Sequence, residues 1–98
     1  MSEEDFGVAP PPFKPEEALQ SLKRTLRDLK LAERGNAFEL RGKRVLDIRT
    51  EADALHVRIA RKLALTPEWD AFGVRNANEQ RKLLDDVKKR LARWAHED

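Results

Sequence analysis

Acid–base and nucleophilic catalysis need a titrating side chain beside a partner that activates it, and this chain holds few candidates. Its histidines are His56, in mid-chain, and His96, among the last three residues; its serines are Ser2 and Ser21. Neither histidine has a second one at helical or hairpin spacing, and there is no cysteine. A zinc site would therefore have to combine His56 with isolated carboxylates such as Asp47, short of the three or four converging ligands zinc requires. Gly7, Gly35, Gly42 and Gly73 stand singly, so no phosphate-cradling loop or dinucleotide fingerprint is formed. The expectation is a protein without catalytic, metal or cofactor site.

Charge is the remaining chemistry. Residues 41–62 carry Arg41, Lys43, Arg44, Arg49, Arg58, Arg61 and Lys62 against Asp47, Glu51 and Asp53. The whole chain has a formal charge of +2. Three of its eighteen acids, Glu3, Glu4 and Asp5, lie in the first few residues, so the rest carries twenty basic against fifteen acidic groups, +5. Such a surface admits polyanionic partners without requiring them. A cation-rich open sheet face with an aromatic residue can hold single-stranded nucleic acid, its charges on phosphates and its ring on a base. Glu39 and Asp47 interrupt any such face here.

Those side chains need elements to position them. Residues 1–12 are acidic and end in Pro10, Pro11 and Pro12, which favour an extended shape, so they are expected to form a flexible arm. Residues 13–98 are then one domain. Pro15 suits a first helical position, with Glu16 and Glu17 at the positive helix end. Leu19, Leu22, Leu26 and Leu29 follow on one helical stripe, and Gly35 is expected to supply the left-handed cap. A second helix starts from Asn76, with Glu79 three residues on, and carries Leu84, Val87, Leu91 and Trp94 as its apolar stripe. Asp85 with Lys89 and Asp86 with Arg90, each four apart, fall on its expected wet side.

Between the helices, Phe38 and Leu40, a turn at Arg41, Gly42 and Lys43, and then Val45, Leu46 and Ile48 read as a β-hairpin. Leu55, Val57 and Ile59 alternate with His56, Arg58 and Ala60, and Phe72 with Val74 offers a fourth strand. A helix starting at Thr50, with Ala52, Leu55, Ile59 and Leu63 on one face, is the alternative. It leaves Val57 and Leu65 off the stripe and the hairpin without a sheet, whereas strands use every apolar residue from Phe38 to Val74. The expected fold class is α+β: helix, four-stranded antiparallel β-meander, helix, with both helices on one sheet face. The alternative is a mostly α chain with a hairpin.

The stretches PFKPEEALQSLKRTLRDL, FELRGKRVLDI and DDVKKRLARW resemble a family of small uncharacterised bacterial proteins. That resemblance implies neither an activity nor functional residues. The order helix, antiparallel strands, helix also resembles double-stranded RNA-binding domains in outline. Their basic cluster at the start of the last helix is represented only by Arg81 and Lys82.

In the sheet reading, alternation turns Arg41, Arg49, His56, Arg58 and Arg75 away from the helices, with Trp69 on the same face if its strand includes it. Together with Lys43 these are the candidate binding residues. The expected function is a small non-enzymatic binding module that associates with itself or another protein through its open face or strand edges. RNA or single-stranded DNA binding through the basic face is the alternative. The longest run of the apolar set is three residues, Leu63 to Leu65, against the roughly 20 a spanning helix needs. With an acidic rather than basic start, the expectation is no membrane insertion and a cytoplasmic location.

Overall fold

The computed structural model describes residues 13–96; the expected arm at 1–12 lies outside them. Helix α1 spans Pro15–Asp28 and α2 spans Ala77–Trp94. Between them run β1 (Ala32–Arg34), β2 (Ala37–Leu40), β3 (Lys43–Thr50), β4 (Leu55–Ala60) and β5 (Trp69–Val74). The strands form one antiparallel sheet in the order β1-β2-β3-β4-β5. The described residues are α+β as expected, with five strands instead of four.

The extra strand follows from where α1 ends. Lys30, not Gly35, takes the left-handed conformation after the helix, at φ 73°. Its N–H donates to the Arg27 carbonyl at 2.9 Å and the Leu31 N–H to the Leu26 carbonyl at 3.2 Å, the paired bonds of a Schellman cap. Leu31 and Leu26 are both buried in the core, the apolar contact that accompanies such a cap. Residues 32–34 are thereby released to pair as β1. Gly35, at φ 62°, instead turns the chain between Arg34 and Ala37. The next connection behaves as expected: Arg41 (φ 56°) and Gly42 (φ 78°) form a two-residue turn between Leu40 and Lys43, with the positive φ values a tight hairpin needs.

Segment 55–60 is a strand. It pairs with β3 through Leu46↔Ile59 and Ile48↔Val57, and with β5 through Val57↔Phe72 and Leu55↔Val74. Residues opposite one another share a face. Phe38, Leu46, Ile48, Leu55, Val57, Ile59 and Val74 thus form one apolar layer, and they join Leu19, Leu22 and Leu26 of α1 and Leu83, Val87 and Trp94 of α2 in a single core. On α2 it is Leu83 that is fully buried, with Leu84 and Leu91 only partly so. Leu65, counted as a strand residue from its apolarity, is 81% exposed in the segment between β4 and β5.

Two charge clusters tie the helices to the sheet. Glu33 on β1 accepts from Arg27 at 2.6 Å and pairs with Lys23 at 3.2 Å, both on α1. Arg90, expected on the wet side of α2, is only 12% exposed. Its guanidinium meets Asp70 at 2.9 Å and Asp86 at 2.9 Å, donates to the Ala60 carbonyl at 3.0 Å and lies 5.7 Å from the Phe72 ring centre. Arg61 adds a second bond to Asp70 at 2.7 Å.

The hydrogen bonds from Arg61, and then from Arg90, hold the Asp70 carboxyl below its ordinary pKa. Those from Arg27, and then from Lys23, do the same for Glu33. A carboxylate whose folded pKa is depressed contributes stability above its unfolded pKa and loses it as pH falls through the folded value. Thermal unfolding is therefore expected to be flat from neutrality down to about pH 5 and to fall steadily below about pH 4. Asp70→Asn should flatten part of that fall, and melting curves of both proteins across this range check it.

Candidate functional site

The face of the sheet away from the core gathers most of the expected binding residues. Cross-strand rows Asp47↔Arg58↔Ala71 and Arg49↔His56↔Gly73 run over β3, β4 and β5, and Trp69, opposite Ala60, lies on the same face. Arg58 makes a two-pronged contact with Asp47, its Nε 3.0 Å from Oδ1 and its Nη2 on Oδ2. That hydrogen bonding raises the pKa of Arg58 above its usual value. The same guanidinium sits 4.8 Å from the Trp69 ring centre, a cation–π arrangement. Arg49 and His56 both reach Glu51, each at 3.0 Å.

At the start of α2, Asn76 accepts from the Glu79 N–H at 2.8 Å and Glu79 accepts from the Arg75 N–H at 2.7 Å. The Arg75 side chain pairs with Glu79 at 3.8 Å and lies over Gly73. A Cβ built on Gly73 would fall 3.5 Å from an Arg75 guanidinium nitrogen.

Arg49, His56, Arg58, Trp69 and Arg75 are thus brought to one region. Two expected residues are not. Arg41 sits in the β2–β3 turn. Lys43 pairs with Leu40, which packs against the core, so it belongs to the other side of the sheet. The cause is a bulge: Phe38 opposes Leu46 but Glu39 opposes Arg44, which leaves Val45 as an extra residue. Val45 and Leu46 can then both be buried although they are neighbours. The alternation reverses at this point, and Arg44 faces outward while Lys43, a candidate binding residue, does not. Arg34, paired with Glu39 at 3.6 Å, joins the face through β1. Glu51, just beyond the strand end, was not foreseen as the acid binding Arg49 and His56; its position two residues after Arg49 is the signal that was there to read.

One feature of β5 is independent of its side chains. The Arg61 N–H donates to the Glu68 carbonyl at 2.9 Å, which makes Arg61 and Glu68 a hydrogen-bonded pair. Such pairs alternate along an antiparallel ladder, so Asp70, Phe72 and Val74 direct their backbone groups at β4. Trp69, Ala71 and Gly73 direct theirs to the opposite edge. Among the described residues no strand pairs with that edge, and Ala71 is exposed. Alongside lies a groove of about 300 Å³ lined by Phe72, Gly73, Val74, Glu79, Lys82 and Leu83.

Among the described residues no metal-holding group of three or more His, Cys, Asp or Glu is formed, and no helix is long and apolar enough to cross a membrane. No family model, no curated protein and no solved structure matches the chain.

Proposed function

We propose that this protein is a non-enzymatic association module whose partner adds a strand to the free edge of β5. The observation that carries this reading is the row of outward backbone groups on Trp69, Ala71 and Gly73. Exposed edges are templates for pairing, and sheets usually blunt them with lysine, proline or brevity. β5 is six residues long, and WDAFGV contains neither lysine nor proline. The opposite edge, β1, has three residues, and two of them are charged. The groove between β5 and α2 gives the alternate side chains of an added strand a place to sit, as strand addition uses.

A synthetic peptide with the sequence of residues 68–75 is the probe. Titrated in excess into isotope-labelled protein, it is expected to shift the amides of Trp69, Ala71 and Gly73 most. Ala71→Pro, which removes an outward donor and leaves the β4 ladder its bonds, should abolish the shifts with the fold retained. Absence of any shift on β5 at near-millimolar peptide contradicts the reading.

RNA or single-stranded DNA binding is the second reading, favoured by the stacking of Arg58 on Trp69. It ranks lower because Asp47, Glu51, Glu39 and Glu79 already hold Arg58, Arg49, Arg34 and Arg75. A phosphate would have to displace those carboxylates. Salt-sensitive binding that disappears in the double variant Arg49→Glu, Arg58→Glu is its expected signature.

A further inference from the structure

We infer that the strand added to β5 is the β5 of a second copy of this chain, antiparallel about a two-fold axis through Ala71. The inference rests on the strand-addition reading and names its partner. Three observations select it.

The first is the supply of backbone groups. Trp69, Ala71 and Gly73 face the free edge, and the next outward N–H, that of Arg75, is already taken by Glu79 at 2.7 Å. A register centred on Ala71 sets Ala71 opposite Ala71 of the second copy and Trp69 opposite the second copy's Gly73, twice over. All three free donors and acceptors of each copy are then paired with one another, the closely spaced pairs of an antiparallel ladder. A register centred one residue further on would set Trp69 against an N–H that is already bound.

The second is the fit of side chains. The largest residue on the outer side of β5, Trp69, meets the one without a side chain, Gly73. The space over Gly73 holds the Arg75 guanidinium, which in this register is delivered to the indole of the opposing Trp69. That indole already carries Arg58 of its own chain. Pairing gives it a second cation from across the two-fold.

The third is charge. Asp70, which faces the core side, comes opposite Phe72 of the second copy and introduces no unpaired acid, because Arg61 and Arg90 hold it at 2.7 and 2.9 Å. Glu68, held by Arg61 at 3.3 Å, comes opposite Val74, with Lys82 lining the groove beside Val74, so the ends of the paired strands add no unpaired acid either.

The test is light scattering of the full chain after gel filtration, from micromolar to near-millimolar concentration. Wild-type protein is expected to give twice the 11.3 kDa chain mass. Ala71 is exposed, so Ala71→Lys and Ala71→Glu leave the monomer folded. Each places like charges opposite one another at the two-fold and is expected to be monomeric, whereas an equimolar mixture of the two returns to the dimer mass. Gly73→Val is the second handle: its Cβ meets only the flexible end of Arg75 at ordinary contact distance, and it should weaken self-association on the order of tenfold by crowding the opposing indole. A wild-type mass of 11.3 kDa throughout, with the 68–75 peptide still binding β5, overturns self-pairing and leaves strand addition standing. The same mass with no peptide binding overturns both. A wild-type dimer that persists in folded Ala71→Lys, or a mixture that stays monomeric, places the partner elsewhere and overturns the inference.

Discussion

Truncating Trp94 to alanine is expected to remove from about a third to nearly all of the protein's folding stability. Trp94 is 1% exposed and closes the core at the end of α2, against the same cluster that holds Leu22, Leu26 and Phe38. Emptying such a site costs about 3–5 kcal/mol, because the lost transfer energy is joined by a cavity that neighbours fill only in part. A domain of this size has only about 5–10 kcal/mol of stability in total. Trp94→Phe should behave differently. The Trp94 Nε1 is buried with no hydrogen-bond partner among the described residues, so phenylalanine keeps most of the apolar contact while removing an unsatisfied N–H. The expected loss is about 1–2 kcal/mol. Urea unfolding of the three proteins checks both; equal losses for alanine and phenylalanine would mean the ring makes no special contribution there.

The second large effect is expected at Arg90. Arg90→Ala removes at once the partner of Asp86, one of the two partners of Asp70, a donor to the Ala60 carbonyl and the cation beside Phe72. Asp70 and Asp86 are about one-third exposed and stay partly solvated when Arg90 is gone, so the expected cost, set by the lost charge-assisted bonds and by the packing of the Arg90 stem, is about 1–2 kcal/mol. For a domain this small that is roughly 4–16 °C in Tm. Arg90→Lys keeps the charge but loses the planar fork that serves Asp70, Asp86 and a carbonyl together, so it should recover only part of the loss. By contrast Asp85→Ala, at an exposed position on the same helix, is expected to change stability by less than about 0.5 kcal/mol. Differential scanning calorimetry of the three variants separates a positioned fork from a generic surface cation.

These residues also mark how far the fold was legible. The start of α1 at Pro15, the Asn76–Glu79 cap of α2 and the Arg41–Gly42 turn follow from local rules that the surroundings do not override. Strand β4 was legible because Leu55, Val57 and Ile59 alternate and only strands use Val57. β1 was not: Ala-Glu-Arg contains no large apolar residue, and its pairing depends on α1 stopping at a lysine in a conformation that favours glycine. The pair Leu26 and Leu31, five apart, is the signal that marks that stop. The Val45 bulge is invisible to alternation, since a strand read at period two cannot register an extra residue, and it is the bulge that turns Arg44 outward and Lys43 to the other side.

Arg90 departs from its sequence pattern for a different reason. Its spacing from Asp86 is that of an exposed helix pair, and only the arrival of Asp70 and the β4 carbonyls from across the fold draws it inward. The candidate face was legible in five of its residues, Arg49, His56, Arg58, Trp69 and Arg75. The acids that occupy its cations, Glu51 above all, become evident only once the β3–β4 turn folds back on the sheet. With those cations engaged, the outward edge of β5 stands out among the described residues as the longer of the two unpaired sheet edges.

Amide hydrogen exchange, resolved residue by residue and compared between dilute and concentrated protein, tests that edge most directly. Asp70 and Phe72 should be protected in both samples, since their N–H groups are bound to β4. Trp69, Ala71 and Gly73 should exchange quickly when dilute and slowly when concentrated, as a second strand covers them. Rapid exchange at all three in both samples would contradict pairing at β5 between copies of this chain.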